Sequence, residues 1–166
     1  HLDFVNDSSL VGQRKHFNGI SLCLPTRMEK IENDKFSVIK NQLEKIKNSY
    51  FITNVLAVYQ NADSMVLIIS QINHDSLIYN ELDKEFEDGL ALNLGADYIN
   101  KGQFSIGGLK IIQFIVSNEE ITNYKLYINV KGTTYYQIDY LINTKYFNIF
   151  RGRKEMSIST IKIKEG

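Results

Sequence analysis

Three histidines, one cysteine and a short acidic run are the residues in this chain whose types suit catalysis or metal binding, and their spacing decides whether they converge. His1, His16 and His74 each lack a carboxylate or a second histidine at ligand spacing, so neither a metal site nor a cofactor is expected. Activating a serine, threonine or cysteine needs a base beside it, and no Gly-x-Ser-x-Gly elbow is present. The nearest glycine cluster, Ser105-Ile106-Gly107-Gly108, falls between two strand-like runs, where it reads as a hairpin turn rather than a phosphate cradle. Cys23 sits inside Ile20-Ser21-Leu22-Cys23-Leu24 and reads as a small buried thiol.

The candidate binding residues lie in the last third of the chain. Asp139 is flanked by Tyr135, Tyr136 and Tyr140, and strand alternation turns it outward. Tyr127 and Tyr135 share that outward phase and are candidates for an aromatic contact surface. The catalytic set is empty on this reading, and the binding set is Tyr127, Tyr135 and Asp139.

Composition narrows the partners. Lysine plus arginine and aspartate plus glutamate both number 19, so no net field steers the chain toward nucleic acid. The balance is local, however. Asp75, Glu81, Asp83, Glu85, Glu87 and Asp88 face only Lys84 across residues 75–88, and residues 144–166 carry a basic excess. Both blocks read as solvated helix faces. No apolar run approaches the roughly 20 residues of a membrane-spanning helix.

These residues need elements to hold them, and hydrophobic period supplies them. Residues 1–19 read as an N-terminal arm, and residues 20–166 as a single α+β domain. Ile20–Leu24 is a strand closed by Pro25. Phe36, Ile39, Leu43 and Ile46 predict an amphipathic helix over 35–48. Phe51–Gln60 and Met65–Ile72 form a hairpin whose second strand, apolar on both faces, is central. A second helix runs from about Asp75 to Leu94, with Gly95 as its stop. Strands then follow at 98–105, 109–117, 124–130 and 135–142. In the last two, Tyr124, Leu126, Ile128 and Val130 share one face with Tyr136, Ile138, Tyr140 and Ile142. A C-terminal helix begins after Asn143-Thr144. The fold class is α+β, a mostly antiparallel sheet of about six strands flanked by helices.

The order of these elements, and above all Tyr136-Gln137-Ile138-Asp139-Tyr140 through Phe147 and Phe150 to Ser157-Ile158, resembles the PsbP-like fold. That resemblance spans roughly residues 18–163. It implies an α/β/α sandwich and a noncatalytic accessory or protein-interaction module, because members of this fold are commonly binding or assembly accessories. It also implies an exported, extracytoplasmic protein, which suits a chain that starts at His1 rather than at methionine. The alternative is a small-molecule binder or enzyme on a cone-shaped, nuclear-transport-factor-like α+β fold, with Asp139 and the nearby tyrosines in its cavity.

Overall fold

The computed structural model describes residues 7–45, 52–62, 65–73, 98–131 and 134–164. The helix expected over 75–94, its acidic block, His1 and His74 lie outside these residues. So do positions 46–48 of the first helix.

A 3-10 turn at Ser8–Leu10 is capped by Asp7, whose carboxylate accepts from the Ser9 N–H at 3.0 Å. Strand β1 (Val11–Phe17) follows, then β2 (Ile20–Pro25) and β3 (Glu29–Lys30). Helix α1 (Asn33–Lys45) starts two residues before the predicted point. Strands β4 (Ile52–Asn61), β5 (Met65–Asn73), β6 (Tyr98–Ile106), β7 (Leu109–Ser117), β8 (Ile121–Lys131) and β9 (Thr134–Asn143) come next. A 3-10 turn at Thr144–Tyr146 leads into helix α2 (Phe147–Ser159), and β10 (Lys162–Ile163) is the last strand.

The segment expected as an arm is therefore a strand over 11–17. Asn18, at φ 50°, and Gly19 turn β1 back onto β2, with Phe17 opposite Ile20. Among the described residues the strands form two antiparallel sheets. The larger has seven strands in the order β3-β4-β5-β9-β8-β7-β6, and the smaller has three in the order β1-β2-β10. Gly107 and Gly108, at φ 55° and 80°, make the tight turn between β6 and β7 that the glycine cluster predicts.

Period-two alternation divides the large sheet into two buried faces. One carries Leu67, Ile69, Leu126, Ile128, Ile138, Tyr140 and Ile142. It packs against Ile20, Leu22 and Leu24 of the small sheet and Phe150 and Ile158 of α2. The other carries Val55, Val58 and Ile68, with Phe36, Ile39 and Leu43 of α1 laid against them. The central strands are thus covered on both sides, as the unbroken apolar run Met65-Val66-Leu67-Ile68-Ile69 requires.

Because β10 pairs with only Ile20 and Ser21 of β2, the backbone of Cys23 extends beyond its neighbour and needs other partners. Side chains at the end of α2 supply them. The Cys23 N–H donates to Thr160 Oγ1 at 2.8 Å, and Ser157 Oγ donates to the Cys23 carbonyl at 2.6 Å. Ser157 Oγ in turn lies 2.8 Å from the Tyr140 hydroxyl; its own proton is spent on Cys23, so Tyr140 is the donor. Arg14 completes the join, donating to Ser21 Oγ and to the Thr160 carbonyl at the helix end.

Thr160→Val is expected to orphan the Cys23 N–H and to lower stability by about 1–3 kcal/mol, whereas Thr160→Ser keeps most of it. Urea unfolding of the two variants beside the parent protein is the measurement.

Candidate functional site

The strand turn at Asn18 and the β-bulge in β4 together open a groove where the two sheets diverge. β1 brings Lys15, His16 and Phe17, β2 brings Leu24, the following turn brings Met28, β3 brings Lys30, and β4 brings Leu56, Ala57 and Tyr59. The groove encloses about 530 Å³. Leu56 is the extra residue in β4, where pairing with β5 skips between Val55 and Ala57. Phe17, Leu24, Ala57 and Tyr59 form a buried apolar floor, and the Phe17 and Tyr59 rings meet edge to face with centroids 6.3 Å apart. Lys15, His16, Asn18 and Lys30 form the rim.

The Tyr59 hydroxyl titrates above its ordinary range, first because it is partly desolvated and second because Glu32 is near. It therefore stays a hydrogen-bond donor at neutral pH. An apolar floor, one phenolic donor and two lysines at the rim suit a ligand or partner with a flat apolar body and an anionic end.

The three binding residues named from the sequence lie elsewhere. Tyr127, Tyr135 and Asp139 do share the face opposite the tyrosine-rich core, as alternation requires: Lys125 is opposite Asp139, Tyr127 opposite Gln137, and Asn129 opposite Tyr135. They are not an exposed contact surface, however. Tyr127 is 2% exposed, Tyr135 1% and Asp139 4%. The reason is that this face is itself apolar around them. Ile72, Ile112, Phe114 and Val116 are buried in the same phase, and the Phe114 and Tyr127 rings meet edge to face at 5.8 Å.

Asp139 gathers a polar cluster within that layer. Its Oδ1 accepts from Lys125 Nζ at 2.5 Å and from Asn123 Nδ2 at 3.1 Å, and its Oδ2 accepts from Gln137 Nε2 at 2.7 Å. Desolvation foremost, with the Asp139 charge second, pushes the Tyr127 hydroxyl well above its ordinary range. Asn123 Oδ1 is buried with no hydrogen-bond partner among the described residues. Among the described residues no three of His, Cys, Asp and Glu cluster as metal ligands. No described helix is long and apolar enough to cross a membrane.

The basic C-terminal block departs from its expected solvated face in another way. Lys154 is 1% exposed and holds its Nζ 3.3 Å from the centre of the Tyr124 ring, which stacks in turn on Phe147. Burial lowers the Lys154 pKa to about 7; Glu155 opposes the shift and Arg151 adds to it. Glu155, also buried, accepts from Arg151 Nε at 2.9 Å.

With this architecture described, known structures can be set beside it. The solution structure of cyanobacterial PsbP (CyanoP) from Synechocystis superposes with a TM-score of 0.57, covering 93% of this chain and 94% of that one at 12% identity. The fold is PsbP-like. A crystal structure from Bacteroides thetaiotaomicron is more distant, with a TM-score of 0.39 and 12% identity over 88% of this chain and 45% of its own. No family model matches the sequence. No curated protein matches it either. The PsbP-like class agrees with the α+β, mostly antiparallel architecture read from the sequence.

Two expectations follow from the buried charges. Asp139→Asn should cost about 2–4 kcal/mol by stranding the Lys125 charge, and adding Lys125→Met should recover most of that loss in urea unfolding. Lys154 has its folded-state pKa depressed, so between pH 7 and 10.5 the unfolded chain binds the extra proton and stability should rise with pH. Below pH 7 both states are protonated and the burial penalty is complete. Lys154→Met should therefore raise the urea midpoint at about pH 6 and flatten its climb toward about pH 9.

Proposed function

We propose that this chain is a noncatalytic binding or accessory module acting outside the cytoplasm, and that the groove between its two sheets receives the ligand or partner. The observation that carries the reading is the pairing of a buried aromatic and aliphatic floor, Phe17, Leu24, Ala57 and Tyr59, with a cationic rim of Lys15 and Lys30. Burying apolar area against the floor supplies affinity, while the rim selects the sign of charge and speeds encounter.

Tyr127, Tyr135 and Asp139 enter this proposal as the scaffold behind the binding face rather than as the contact itself. Their burial and the three donors on the Asp139 carboxylate support that role. The PsbP-like fold supports an accessory role by analogy alone. The extracytoplasmic setting belongs to the same proposal, and recovery of the native protein in the cytoplasmic fraction would end that part of it.

An anionic amphiphile with a flat body, such as anilinonaphthalene sulfonate, tests the groove directly. It is expected to fluoresce on binding and to bind about fivefold or more weakly to the Lys15→Glu/Lys30→Glu double variant, and more weakly again to Tyr59→Ala. Equal binding by all three proteins, at unchanged thermal stability, would remove the groove from the account.

A further inference from the structure

The turn that joins β1 to β2 carries a reactive pair. Asn18-Gly19 is the only asparagine-glycine step in the sequence, and Asn18 is exposed on the rim of the groove. Phe17 pairs with Ile20 across it, which makes Asn18 and Gly19 the two central residues of a hairpin turn. Asn18 has φ 50° while Gly19 stays out of the left-handed region, and a positive φ at the first central position alone is the type II′ pattern. In that turn the first central residue takes a ψ of about −120°. Such a ψ eclipses Cβ with the nitrogen of the next residue, which is the torsion that a five-membered ring through Cβ, Cγ and that nitrogen requires.

Glycine is imposed at position 19 by its surroundings. A Cβ there would stand 3.2 Å from the Tyr136 hydroxyl and 3.5 Å from Val130 Cγ1. The Gly19 N–H donates to the Tyr136 hydroxyl at 2.9 Å, and the Gly19 carbonyl accepts from the Lys164 N–H at 2.8 Å. The nitrogen is thus held in one place, beside an asparagine side chain and with no side chain of its own to shield it.

We propose that Asn18 is a self-modifying site, converting to aspartate and isoaspartate and thereby lowering the affinity of the groove for anions. The Gly19 nitrogen gives its proton to solvent and attacks Asn18 Cγ. A new C–N bond closes a succinimide, and the bond from Cγ to the side-chain nitrogen breaks with release of ammonia. Water then opens the ring at either carbonyl, giving aspartate or, with the backbone routed through Cβ, isoaspartate; nothing is oxidised or reduced. Tyr136 sets the pace, because its hydrogen bond stabilises the proton that must leave. Either product adds a negative charge to a rim that carries Lys15 and Lys30, and isoaspartate also lengthens the two-residue turn by one backbone atom. The effect on binding rests on the groove reading; the covalent step does not.

The full chain, aged in mildly alkaline buffer and digested with trypsin, reports the step in the peptide 16–27. Mass spectrometry should show Asn18 converting ahead of every other asparagine, with an isoaspartyl share. Tyr136→Phe should speed the conversion by roughly fivefold, the equivalent of one hydrogen bond. Asn18→Gly keeps a residue suited to the turn and should abolish it. Aged parent protein and fresh Asn18→Asp should both bind anilinonaphthalene sulfonate roughly threefold more weakly than fresh parent, while Asn18→Gly keeps its affinity on ageing. An Asn18 that stays intact in the folded chain while the urea-unfolded chain converts would overturn the proposal. So would complete conversion that leaves sulfonate binding unchanged where Lys15→Glu/Lys30→Glu weakens it. A fresh parent protein that binds no sulfonate removes the groove reading and the regulation with it, and the peptide mass then decides the covalent step alone.

Discussion

Burial of the central strands on both faces is the constraint from which the rest of this structure follows. Strands β5, β9 and β8 have no side that looks onto water along most of their length, so every side chain they carry must find its partner inside the protein. Apolar residues meet that demand by packing beneath the small sheet, α2 and α1. Polar ones must be satisfied locally, which is why Asp139 is ringed by Lys125, Asn123 and Gln137 on the neighbouring β8 and its own β9. Lys154 meets the same demand in α2, over an aromatic face instead of a carboxylate.

The alternation of Tyr124, Leu126, Ile128 and Val130 with Tyr136, Ile138, Tyr140 and Ile142 was legible because side-chain direction in a strand is fixed by its period of two. What period cannot convey is whether the other direction leads to solvent. Tyr127, Tyr135 and Asp139 point where alternation sends them, yet the layer they enter is set by tertiary packing. Polarity misled again at Val11–Phe17, where Gln13, Arg14, Lys15 and His16 suppress the hydrophobic signal of an edge strand. The Asn18-Gly19 pair before an apolar run was the signal that could have revealed that hairpin. The groove was out of reach of either signal, because its walls come from four separate stretches of chain that only the meeting of two sheets brings together.

A PsbP-like superposition at 12% identity means that the architecture persists while nearly every side chain differs. Function then has to be sought in what this chain adds to the shared frame. In this chain the small sheet lies beside the large one and leaves a cleft between them. The sequence furnishes that cleft with Lys15, Lys30, Phe17 and Tyr59, on strands whose backbone positions are held by the pairing of β1 with β2 and of β3 with β4. Placing the contact residues on strands limits their freedom and lowers the entropy lost on binding.

The small sheet joins residues 11–17 to residues 162–163 through β2, and its outermost backbone groups are met by Ser157 and Thr160. During synthesis, the hairpin made by the first two strands must therefore wait for almost the whole polypeptide to emerge before it acquires its third strand and its helical clasp. A chain released or threaded through a pore from its leading end would carry that hairpin half-finished, with the greasy side of β2 uncovered, until the trailing end arrived to lock it.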